Sequence, residues 1–183
     1  LKSIILCGIC MMALALTSCD SWLDVNTDPE NPSSASATYE NRLAHIEFYT
    51  NHATQIAAWR SSMSMGDWTR SVTNGSTYWH MSYWNPQQGA VTTAYQWWFV
   101  GAACNIEDMY TKAMEAEAWH YAGVARVIYA YGFMLMTDLH GEMPFTEGLG
   151  EDATPAYDNG KTIYLGCLAA LDEGLELLSK SQS

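Results

Sequence analysis

Residues 118–136 read AWHYAGVARVIYAYGFMLM. Tyr121, Ala122, Ala125, Ile128, Tyr129, Gly132 and Leu135 recur in this stretch every three or four residues, the period of one helical face. The remaining positions are mostly apolar too. A helix that is apolar nearly all round belongs in the middle of a fold. Ala122, Gly123, Ala125, Ala130 and Gly132 are small, so neighbouring helices can come close to its axis. The stretch predicts a central helix packed on several sides.

The same period returns on both sides of it. Ala94 to Ala116 carries Tyr95, Trp98, Ala102, Ile106, Met109 and Ala113, and both Trp97 and Trp98 are assigned to its core. Tyr157 to Ser179 carries Ile163, Cys167, Leu168, Leu171, Leu175 and Leu178. Ala35 to Met65 carries Tyr39, Leu43, Ile46, Tyr49, Ala53, Ile56 and Trp59, with a break expected near Asn51. Asn31-Pro32-Ser33-Ser34 marks the entry to that helix. Two segments interrupt the pattern. Residues 66–89 contain Thr73-Asn74-Gly75-Ser76 and Asn85-Pro86-Gln87-Gln88-Gly89, both turn signals. Residues 138–155 contain Gly141, Pro144, Gly148, Gly150 and Pro155. No alternating strand pattern forms a ladder. The expected fold is all-α: antiparallel helix pairs of a tetratricopeptide-like kind, joined by long irregular loops. A strict 34-residue repeat is not visible.

Eight basic residues face 20 acidic ones, for a formal net charge of −12. That balance argues against binding nucleic acid or anionic headgroups by charge. It suits neutral partners. Eight Trp and 11 Tyr are more large aromatics than one core of this size needs, so some are expected on a surface. Catalysis is not expected. The sequence has no GxSxG elbow, HExxH, P-loop or GxGxxG. Glu107-Asp108, Glu115 with Glu117, and Glu151-Asp152 are close along the chain and point in different directions, unlike carboxylates facing across a cleft. No Cys/His spacing suits a metal, and no cofactor is expected. Cys104 and Cys167 lie in apolar helical patterns and are expected as two buried thiols rather than a disulfide.

The first residues differ from the rest. Lys2 precedes an apolar run from Ile4 to Leu16, shorter than the roughly 20 residues a bilayer needs and suited to a secretion signal. Leu16-Thr17-Ser18-Cys19 has the form of a bacterial lipobox. The thiol is needed because diacylglycerol alkylates it before cleavage, and two or three acyl chains anchor stably where one does not. The expected organisation is a signal peptide at 1–18, a lipidated tether at 19–35 and a helical domain at 36–183. Trp22, Leu23 and Val25 would dock the tether. Ser179-Lys180-Ser181-Gln182-Ser183 offers no closing element, and the domain is expected to be truncated at its C-terminus.

Three segments carry a resemblance. Cys19-Asp20-Ser21-Trp22-Leu23-Asp24-Val25-Asn26-Thr27-Asp28-Pro29 joins the lipid site to an LDVN-DP stretch. Ala125 to Tyr131 leads into Thr137-Asp138-Leu139-His140-Gly141-Glu142-Met143-Pro144-Phe145-Thr146-Glu147. Pro155-Ala156-Tyr157-Asp158 is followed by Ile163-Tyr164 and Leu171-Asp172. Together these resemble the SusD/RagB family of Bacteroidota, in its SusD-like branch. The resemblance implies a lipoprotein on the outer membrane, facing the exterior. It also implies a lid on a TonB-dependent, SusC-like transporter, capturing glycan or peptide for import.

Within the second segment the residues have structural readings. Asp138 can accept backbone N–H groups of the turn after the helix, Gly141 allows positive φ and Pro144 fixes the exit. Asp138, His140 and Glu142 alternate, and a bracing loop accounts for them better than a metal site. The ligand platform is assigned to the aromatic loop. Sugars present flat apolar faces edged with hydroxyls, which rings stack on and polar groups bond. Trp79, Tyr83 and Trp84, with Arg70 and Asn74, form that mixture. The favoured function is glycan capture. The rivals are peptide capture and a helical scaffold that binds only the transporter, and burial of the loop's rings would favour the scaffold.

Overall fold

The computed structural model describes residues 36–66, 84, 88–150 and 154–181, and these residues form helices and the loops between them, with no strand. Thr38–Ser183 groups as one unit. Helix α1 spans Tyr39–Met65. Helix α2, Gln88–Gln96, runs into a π-helical segment at Trp97–Ala103 and on into α3, Cys104–Glu115. Helix α4 spans Trp119–His140 and α5 spans Gly160–Leu178. The all-α expectation holds, and α4 covers nearly all of the apolar stretch at 118–136.

Start and stop signals act as side-chain chemistry dictates. The Thr38 hydroxyl accepts from the Asn41 N–H at 3.4 Å, and Asn159 accepts from the Thr162 N–H at 3.0 Å, each satisfying a donor that the first helical turn leaves open. Helix α1 ends at Gly66, whose φ of 80° is left-handed. The break expected near Asn51 is absent, because the helix runs unbroken through it. Thr50, Ala53 and Ala57 are buried there, and a packed face outweighs weak local propensity.

The helices pair antiparallel along their whole lengths. Across α1 and the α2–α3 run, Arg60 reaches the Gly89 carbonyl, His52 meets Trp97, and Arg42 bonds Asn105. Across that run and α4, Tyr95 meets His140, Trp98 meets Phe133, and Glu107 bonds Arg126. Across α4 and α5, Asp138 accepts from Tyr164 while Arg126 pairs with Glu173. Helix α4 also touches α1, through Tyr121 on Tyr39 and Tyr131 on Thr54.

An aromatic stack fills the middle. Trp98 is fully buried with its ring edge-on to Phe133 at 5.7 Å and 85°, and Phe145 meets the same Phe133 at 4.9 Å and 89°. Such edge-to-face pairs suit the ring quadrupole. Gly132 makes room for this: a Cβ there would stand 2.1 Å from the Trp98 ring. Around the stack, charges join the helices. Arg126 pairs with Glu107 and Glu173, each at 3.0 Å, and its guanidinium lies 3.7 Å from the Tyr110 ring centre. Arg42, buried, bonds Asp108, which also takes Lys112.

The two cysteines do not match the expected pair of buried thiols. Cys167 is buried, but Cys104 is exposed. The π segment explains the difference. Its wide turn sends Trp98, Gly101, Ala102 and Ala103 inward, so Val100 and Cys104 emerge on the outside, and the Cys104 thiol donates to the Val100 carbonyl.

Candidate functional site

The loop after α4 is a brace. Gly141 takes φ +80° and ψ −127°, which only glycine adopts readily, and Pro144 is buried. Met143 and Asp158 form an antiparallel bridge, with N–H to carbonyl distances of 3.3 and 2.9 Å. Asp138 does not do the work assigned to it. It lies within the last turn of α4 and its carboxylate accepts from the Tyr164 hydroxyl on α5. The backbone donors of the turn go to Asp158, which accepts from Phe145 N–H at 3.2 Å and Thr146 N–H at 2.8 Å. Helix α4 continues past the predicted end at Met136, so Asp138 sits too early to reach the turn. Those N–H bonds, Thr146 first, hold the Asp158 carboxyl below the usual carboxylate range. Glu147 adds a bond from the Ala156 N–H. The segment ties α4 to α5.

Of the residues assigned to a ligand platform, Arg70, Asn74, Trp79 and Tyr83 lie outside the described residues, as do Cys19 and the tether residues Trp22, Leu23 and Val25. Trp84 is described. Its side chain is 72% exposed and its backbone has φ +55°, a left-handed conformation uncommon for a bulky residue. A tryptophan so exposed contributes nothing to a core, and such strain tends to persist where function uses it.

A second aromatic group stands on the outer side of α1 and the π segment, and the sequence reading missed it. Here Trp97 is only half-buried, unlike Trp98. His52 stacks flat on it at 4.5 Å and 10°, with Tyr49 at 5.3 Å and Phe48 at 6.4 Å. His45 lies against Tyr49 at 4.6 Å. Beside them is a cavity of about 390 Å³ lined by His45, Tyr49, Gln96, Trp97, Val100 and Gly101. Val100 in the lining is 73% exposed, and Phe48, in ring contact with Tyr49 and Trp97, is 52% exposed. Gly101 matters to this arrangement, since a Cβ there would lie 2.2 Å from the Tyr49 ring. The signal was present in the sequence. His45, Phe48, Tyr49 and His52 recur at three- and four-residue spacing, forming a stripe beside the buried one at Arg42, Ile46, Thr50, Ala53 and Ala57. Adjacent residues on a helix also point about 100° apart, so Trp98 enters the core while Trp97 packs against it only in part.

Among the described residues, no helix is long and apolar enough to cross a membrane. The SusD-like_2 family model, described as starch-binding and associating with the outer membrane, matches residues 34–183. That match spans every helix and both aromatic groups described above. Among curated proteins no match is found.

Proposed function

Because the chain belongs to the SusD-like family, starch-binding and associated with the outer membrane, we propose that it captures oligo- or polysaccharide there and passes it to a TonB-dependent transporter of the SusC type. The observation that carries the reading is the family match over residues 34–183 together with a tryptophan, Trp84, standing 72% exposed at the end of the aromatic loop.

The mechanism is stacking and edge bonding. A flat aromatic ring covers the apolar face of a pyranose, and removing that face from water is the favourable step. Polar side chains around it bond the hydroxyls, so affinity comes from few, well-placed groups. On this reading Trp79, Tyr83 and Trp84 form the platform, and Arg70 and Asn74 bond the edges. The strong negative charge of the chain leaves neutral glycans unopposed and repels polyanions. The protein binds and does not cleave. Residues 1–18 act as an export signal, and lipid on Cys19 holds the mature chain at the membrane, facing the exterior.

The test is affinity electrophoresis of the Cys19→Ala chain on a polysaccharide panel, starch included, with Trp84→Ala and Trp79→Ala beside it. Retardation by starch, lost in the tryptophan variants, is the expected result. Retardation kept in both variants would leave capture standing and remove the platform. A folded chain retarded by nothing would end the glycan reading in favour of peptide.

A further inference from the structure

The cavity beside Trp97 has the features of a small-molecule site. Its volume of about 390 Å³ falls in the lower part of the range for ligand pockets, about 300 to 1,000 Å³. Its lining is Trp97, Tyr49 and Val100 for apolar contact, with Gln96 and His45 at exposed positions for hydrogen bonding. No Asp, Glu, Lys or Arg is among the six described residues of the lining. That composition fits a ligand that is flat and apolar on one face, hydroxylated at its edge, and uncharged.

The main ring is held in place before any ligand arrives. His52 covers one side of Trp97 in a parallel stack, and Tyr49 buttresses it. A ring already fixed loses little rotamer freedom on binding, which favours affinity. The π turn supplies a second, independent pointer. π-Helical turns inside α-helices are rare and are found often at functional sites. This one places Trp97 and Val100 at the cavity while Trp98 enters the core.

We propose that this cavity is a second carbohydrate contact, which takes one neutral sugar ring against Trp97, in addition to the contact assigned to Trp84. The proposal rests on the glycan-capture reading. It adds a consequence that reading lacks: a polymer touching two places on one chain is retained far better than a trisaccharide touching one, without any stronger single contact.

The test is an NMR titration of the Cys19→Ala chain with maltotriose, following the indole N–H signals of Trp84, Trp97 and Trp98, each assigned from its Trp→Phe variant. The Trp97 signal is expected to shift, while that of Trp98, fully buried, stays still as an internal reference. Val100→Arg places a long side chain at an exposed position on the cavity edge and should not disturb folding. It is expected to abolish the Trp97 shift, keep that of Trp84, and weaken retardation by starch about tenfold or more. A Trp97 signal that is silent while Trp84 moves would overturn the second contact and leave glycan capture intact. A Trp97 shift that survives Val100→Arg, or that Trp98 shares, would also overturn it, since the change would then not come from the cavity. Silence at every indole, with no retardation by starch, would remove the capture reading and the second contact together.

Discussion

Trp97 and Trp98 are neighbours in the chain, yet they belong to two different aromatic groups. Trp98 is fully buried against Phe133. Trp97 stacks on His52 at the edge of an open cavity, with exposed Phe48 and Val100 nearby. The inner group is made of rings meeting edge to face, with no charge among them. The outer group mixes rings with His45, His52 and Gln96. Similar residues thus do two jobs, and the π segment divides them. Inside, aromatic area is spent on stability. Outside, it remains available to a ligand.

The sharpest way to break this comparison is to truncate the two tryptophans in turn. Trp98→Ala should cost about 3–5 kcal/mol, the range for emptying a fully buried aromatic site. Trp97→Ala should cost clearly less, about 1–2 kcal/mol, because only part of its apolar surface leaves water on folding. Urea unfolding followed by circular dichroism reads both. Equal losses would mean that Trp97 is core after all, and its role in a site would weaken. Gly132→Ala tests the inner group from the other side. Its Cβ would meet the Trp98 ring at 2.1 Å, and overpacking of this kind costs about 1–3 kcal/mol.

How far the sequence carried the reading follows from what each signal depends on. Helix α4 was legible because an apolar run with small residues has one physical solution, a buried helix. The loop after it was legible as a brace, since Gly141 and Pro144 dictate their own backbone. Its key acceptor was misplaced. Asp138 and Asp158 are both aspartates beside turns, and only the true end of α4, at His140, decides which one reaches the N–H groups. The outer cluster is hard to see in the sequence because Tyr49 and Trp97 do pack against the core with part of their surface and so fall in the core stripes. A period-3.6 pattern cannot separate a ring under a neighbouring helix from one at its edge. The π turn is still harder to see, because nothing in WWFVGAA marks it, and it changes which of Trp97, Val100 and Cys104 face out.

The brace gives a pH-dependent prediction of smaller size. The Asp158 carboxyl is held below its ordinary range by the Thr146 and Phe145 N–H groups. A group whose pKa is lower folded than unfolded stabilises the fold above its unfolded value, and that contribution is lost as pH falls through the folded value. The stability gap between the native chain and Asp158→Asn should therefore be full near neutrality and shrink only below about pH 5, through the ordinary aspartate value and on below it. A gap independent of pH would show that the aspartate acts only as a shape. The outer cluster has no comparable carboxylate, so a matching acid response from Trp97→Ala is not expected.

The smallest expected effect separates inside from outside at single atoms. Cys104 is exposed and its thiol donates to the Val100 carbonyl at 2.8 Å. Serine can make the same bond, so Cys104→Ser should change stability by no more than about 0.5 kcal/mol. Cys167 is buried on α5, with its thiol pushed up to about 11 by that burial. A hydroxyl there must leave water, so Cys167→Ser should cost about 1–3 kcal/mol. Iodoacetamide reads the same contrast without mutation. Burial also raises the Cys104 thiol, but Cys104 is reachable, and it should be alkylated in the native chain while Cys167 reacts only on unfolding. Protection of Cys104 would mean that the outward turn of the π segment is covered, and the cavity beside it would then be closed to a sugar as well.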